Sequence, residues 1–134
     1  MAFGDIGGAV TELVITCQTV AEGPVDIKKG DALFLCGPYT VDNRFAYPRS
    51  QRIYGQALAS ADRNGQAIPV KVRGVAIFRC GTFPKDWKVT GVHGVLGSSI
   101  EPGFVQRQLV RFDPCGTGVL LKIDEVNRQV HVLL

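Results

Sequence analysis

The chain has 134 residues, enough for one domain, with 16 glycines and 7 prolines along it and a net charge of only +3. Its Lys and Arg residues are scattered among Asp and Glu, which excludes the concentrated basic stripe of a nucleic-acid binder. No apolar run approaches the ~20 residues of a membrane-spanning helix. The opening MAFGDIGGAVTE lacks the basic and long apolar regions of a secretory signal, so synthesis in a cytosol is expected.

Residues 1–10 are glycine-rich and carry Phe3 and Ile6. They are expected to form a short flexible N-terminal arm, with those two side chains as candidate anchors on a partner. Residues 11–134 are expected to form one β-domain. In TELVITCQTV (residues 11–20), Leu13, Ile15 and Cys17 share one face and Glu12, Thr16 and Gln18 the other, the pattern of a half-buried strand. Turn signals follow at Gly23-Pro24 and Lys29-Gly30-Asp31. ALFLC (32–36) is a continuous apolar run between turns, which predicts a strand buried on both faces. Residues 42–52, DNRFAYPRSQR, interleave Arg44, Arg49 and Arg52 with Phe45 and Tyr47, and Pro48 opposes regular pairing. This loop either tucks its aromatics onto the core or contacts a partner, since Arg and Tyr anchor protein interfaces.

Residues 53–62 read as a strand, Asn64-Gly65 as a tight turn, and AIPVKVRGVAIFRC (67–80) as the strand returning from it. In that last strand Val70, Val72, Gly74, Ala76, Phe78 and Cys80 form one small or apolar face. The other face runs from charge at Lys71 and Arg73 to apolar at Val75 and Ile77, then back to charge at Arg79. Val75 and Ile77 on a face that should be wet imply a cover, either a loop of the chain or a neighbouring molecule. Gly74, at the change, predicts a bulge.

Glycines 91, 94 and 97 recur every three residues, without the GxxxxGK[ST] or GxGxxG spacing of a phosphate cradle, and predict bends in a β-fold. Residues 108–112 suggest a short strand. The closing VLLKIDEVNRQVHVLL (119–134) predicts a hairpin, with Val119, Leu121 and Ile123 on one face of its first strand and Val130, Val132 and Leu134 on one face of its second. The sum is an all-β chain: a single compact β-sandwich or small β-barrel with a short N-terminal arm and long loops.

Chemistry is sparse. Cys17, Cys36, Cys80 and Cys115 form no CxxC pair and have no nearby histidine, which disfavours zinc and predicts buried thiols. His131 sits between Val130 and Val132 and faces away from the apolar side; His93 lies between glycines with no orienting acid near it in sequence. There is no GxSxG elbow and no clustered carboxylate pair. The expectation is a non-enzyme, with no catalytic, cofactor-binding or metal-ligating residues and no cofactor. A weak similarity of residues 55–78 to β-domains that carry a swinging lysine fails at the turn, where Arg63-Asn64-Gly65-Gln66 offers no lysine.

The order of three segments resembles the capsid decoration, or cement, proteins of tailed bacteriophages. They are IKKGDALFLCGPYTVDN, then IYGQALASADRNGQAIPVKVRGVAIF, then a closing GTGVLLKIDEVNRQVHVLL. The resemblance covers most of residues 25–80 and 116–134. It implies a small β-domain on the outside of an icosahedral head, as a homotrimer at local three-fold positions, clamping adjacent major capsid subunits without cofactor or catalysis. The implied location is the capsid exterior of the virion, after synthesis in the host bacterial cytoplasm. The implied partner is the major capsid protein, with no direct contact to nucleic acid or membrane. A neck or tail protein, or a ligand-binding or carrier β-module, is the alternative. No contact residues carry over from the family; those expected here are Phe3, Ile6, Arg44, Phe45, Tyr47, Arg49, Arg52, Val75 and Ile77.

Overall fold

The structure, a computed structural model, describes residues 12–44, 53–79 and 118–134, together with the backbone of 96–98 and 110–112. It is all-β: β1 Leu13–Thr19, β2 Ala32–Gly37, β3 Thr40–Asp42, β4 Gly55–Ala57, β5 Ala67–Arg73, β6 Val75–Arg79, β7 Leu96–Ser98, β8 Val110–Phe112, β9 Val119–Asp124 and β10 Gln129–Leu133. Five strands close a barrel in the order β1-β3-β2-β4-β5, with β1 parallel to β3 and antiparallel to β5. A three-stranded sheet, β6-β10-β9, lies beside it, and β7 and β8 form a separate pair.

Two hydrophobic clusters correspond to the two bodies. Cys17, Ile27, Leu33, Val41, Ala57, Ala61, Ile68, Val70 and Val72 fill the barrel. Ala32, Ile53, Ala76, Phe78, Leu120, Val130 and Val132 form the layer under the sheet. β2 explains its own apolar run: Leu33 belongs to the barrel cluster and its neighbour Ala32 to the other. Burial on both faces ends at Phe34, however, because Leu35 is exposed and Cys36 half-buried. Leu13 also departs from expectation. It is exposed, because the ladder to β5 is irregular there: Leu13 opposes Arg73 while Val14 opposes Lys71. The strand expected over 53–62 is only Gly55–Ala57, with Ala61 making an isolated bridge to Ile27. The Asn64-Gly65 turn is present, with Gly65 at φ 65° and the Asn64 amide donating to Val20 O (3.0 Å) and Gly23 O (2.8 Å).

Residues 67–79 are one extended run that serves two sheets. β5 belongs to the barrel and β6 to the three-stranded sheet, and Gly74 stands between them at φ 115°. That backbone region is open to glycine and strained for any other residue. Gly74 is therefore a transfer point between sheets; the extra residue of the bulge is Val72, just before it. The inward face survives the transfer: Val70 and Val72 enter the barrel cluster, Ala76 and Phe78 the second one. Leu134 is strapped to the same point, its N–H donating to Gly74 O at 2.9 Å.

The C-terminal hairpin forms as expected, but the face of β9 does not. Lys122 opposes His131 and Leu120 opposes Val132, so Leu121 is an extra, bulged residue. Leu120 points into the core, Val119 and Leu121 point out, and Ile123 packs inward again. A one-residue shift reverses every side chain of a strand, and the bulge confines that reversal to the first half of β9.

Candidate docking face

Buried polar groups fix the sheet against the barrel. Asp31, in the turn before β2, has a fully buried carboxylate. It accepts from Lys28 N (2.9 Å), Asn43 Nδ2 (3.0 Å) and the Arg79 guanidinium of β6 (2.8 Å). The amide of Gln56 on β4 donates to Gly30 O (3.2 Å) and, across the junction, to Ile77 O (2.8 Å). Lys71 Nζ donates to Val75 O at 3.1 Å and pairs with Glu12 at the same distance. The bonds that involve Asp31, Arg79 and Lys71 are charge-assisted and therefore the strong ones, so the sheet presents its outer face from a fixed position.

That outer face is graded. Strand register sets Val75 beside Leu133 and Leu133 beside Val119. The next row is Ile77, His131 and Lys122; the third is Arg79, Gln129 and Asp124. Ile77 (43%), Leu121 (44%) and Leu133 (44%) are exposed, Val119 slightly less, and Val75 is half-buried. The end near Gly74 is thus apolar and the end near the hairpin turn polar. The sheet brings Val75 and Ile77, read from sequence as oddly placed, together with Leu133, Val119 and Leu121, which sequence reasoning did not select. The bulge hid Val119 and Leu121; only their alternation with Leu120 could have flagged them. His131 lies on this outward face, as expected.

A second exposed group lies on the barrel. Tyr39 holds φ 50° in the turn between β2 and β3 and is 67% exposed. Its carbonyl accepts from Gln18 N at 2.8 Å. Next to this turn an open cleft is lined by Val20, Glu22, Cys36, Thr40, Asp42 and Arg44. Arg44 reaches back into its own chain, pairing with Asp42 (3.8 Å) and donating to Pro24 O. Phe3, Ile6, Phe45, Tyr47, Arg49, Arg52, Cys80, His93 and Cys115 lie outside the described residues.

Burial pushes the Cys17 thiol upward, against a hydrogen bond to Tyr54 that lowers it, and burial likewise raises the Tyr54 phenol. Hydrogen bonds from Asn127 hold the Asp124 carboxyl below its usual range. Among the described residues, no three His, Cys, Asp or Glu side chains assemble as a metal site, and no helix is long and apolar enough to cross a membrane. Compared with known proteins, the chain matches no family model, no curated protein and no solved structure.

Proposed function

We propose that this protein is a structural virion component that binds the outer surface of a tailed-phage head and cements adjacent major capsid subunits, with the outer face of β6-β10-β9 as its docking surface. The observation that carries this reading is the contiguous apolar half of that face, Val75, Ile77, Leu133, Val119 and Leu121, held on a sheet locked to a closed barrel. Soluble monomers rarely expose contiguous apolar patches unless a partner covers them. The resemblance of the order of strand and glycine motifs to tailed-phage decoration proteins supports the capsid as that partner.

The energetics suit a cement. Completing the burial of these partly covered side chains contributes a few kcal/mol per copy, at roughly 25 cal/mol per Å². Alone that is weak binding. Assembly into trimers around local three-fold positions multiplies it, because one trimer engages several subunits at once. Binding the mature shell in preference to other states stabilises that state by mass action.

The test is the copy number of this chain in purified particles, measured by mass spectrometry against the major capsid protein. Hundreds of copies in a simple ratio to the shell are expected. A handful would assign it to the neck or tail, and absence would overturn the reading. Within the decorated particle, Ile77→Ser should lower occupancy several-fold while leaving the isolated protein's stability within about 0.5 kcal/mol, as for an exposed site.

A further inference from the structure

The three-stranded sheet has two outer edges, and the fold treats them differently. Gly74 exchanges hydrogen bonds with Leu134. In the register that follows, Ala76 opposite Val132 and Phe78 opposite Val130, the even-numbered residues of β6 direct their backbone groups at β10. The odd-numbered ones face away, and there Val75 O and Ile77 O receive Lys71 Nζ and Gln56 Nε2. That edge is closed by side chains of the barrel. On the other side the odd-numbered residues of β10 face β9, where His131 opposes Lys122 and Gln129 opposes Asp124. Ile123, opposite Val130, therefore directs its N–H and C=O out of the sheet. Among the described residues, no strand pairs along that side of β9.

A single edge lysine protects a strand from pairing with copies of itself. Here the lysine is answered. Lys122 and Asp124 flank Ile123 on the same, outward face. Antiparallel pairing with a second copy about a two-fold axis at Ile123 makes the two Ile123 residues a hydrogen-bonded pair. It sets Lys122 of each copy opposite the partner's Asp124, in the closer spacing of a non-hydrogen-bonded pair. Shifting the axis to Lys122 would oppose two lysines, so charge selects the first register. The bulge at Leu121 ends regular pairing one residue away, which keeps the contact short. We propose that β9 is a strand-pairing edge through which two copies of this chain join, with Ile123 on the two-fold axis and two reciprocal Lys122–Asp124 ion pairs beside it. This inference does not rest on the virion reading.

Sedimentation equilibrium from micromolar to millimolar concentration tests it. A concentration-dependent dimer is expected, weakened by salt. Lys122→Glu should lower the association constant about tenfold or more by placing like charges opposite each other twice. An equimolar mixture of Lys122→Glu with Asp124→Lys should recover it, because each introduced charge then meets its opposite. Asp124→Lys also removes the carboxylate that caps the hairpin turn, so a second readout uses the unaltered chain: hydrogen exchange at the Ile123 amide should slow as concentration rises. A monomer throughout, or an oligomer indifferent to Lys122→Glu with concentration-independent exchange at Ile123, would overturn the proposal.

Discussion

The barrel and the three-stranded sheet are built from the same kind of strand, and one continuous run contributes to both, yet they solve the edge problem differently. The barrel pairs every strand on both sides and encloses its apolar residues. The sheet covers one face with the junction cluster, caps one edge with Lys71 and Gln56, and leaves an outer face that is apolar at its Gly74 end. Closure leaves the barrel without a free edge, whereas the open sheet keeps an outer face in contact with solvent, the face proposed above for docking.

The largest effects should come from separating the two bodies. Phe78 is among the largest fully buried side chains and sits in the junction cluster, so Phe78→Ala should cost about 3–5 kcal/mol in denaturant unfolding. Hydrogen exchange should show β9 and β10 opening first while β1 and β5 stay protected; uniform loss of protection would mean the two bodies unfold as one. Gly55→Ala strikes the barrel instead. An added Cβ would lie 2.5 Å from Lys71 O and 2.6 Å from Val70 Cγ1, inside the wall. Overpacking against backbone should cost about 3 kcal/mol or leave the chain unfolded, and here β1 and β5 should lose protection with the rest.

Arg79→Met would leave the buried Asp31 carboxylate with only the neutral donors Lys28 N and Asn43. Because Arg79 itself keeps some contact with water, the expected loss is about 2 kcal/mol, below that for a fully buried pair. Adding Asp31→Asn should recover part of it in a double-mutant cycle. Finest in scale is pH. The Asp124 carboxyl titrates lower in the fold than in the unfolded chain. Its contribution to the hairpin is therefore present above the unfolded value of about 4 and lost as pH falls through the folded one. The Asn127 amide resonance should follow this titration, and Asp124→Asn should abolish it.

Much of this was legible in the sequence. The all-β class, the Asn64-Gly65 turn, the inward face of Val70 to Phe78 and the closing hairpin all follow from local patterns of period two. What failed was non-local. The division of residues 67–79 between two sheets depends on what pairs with each half, and nothing in the sequence around Gly74 states that. The apolar run 32–36 predicts burial of Leu35, which is exposed, because such a run says nothing about where cover ends. In β9 the period-two pattern places Val119, Leu121 and Ile123 on one face, and the bulge at Leu121 separates the first two from Ile123. Asp31 looked like an ordinary turn residue, since its partners Asn43 and Arg79 lie 12 and 48 positions away.

Gly74 has a mechanical consequence. Tension on the outer sheet passes along an unbroken backbone from β6 into β5, which is laced along its length to β1. That ladder meets the load in shear, where its hydrogen bonds must rupture together and not one after another. A pull on the sheet is thereby distributed over the longest strand pairing of the barrel, so the glycine that lets the chain change sheets is also the link through which the surface is anchored to the scaffold.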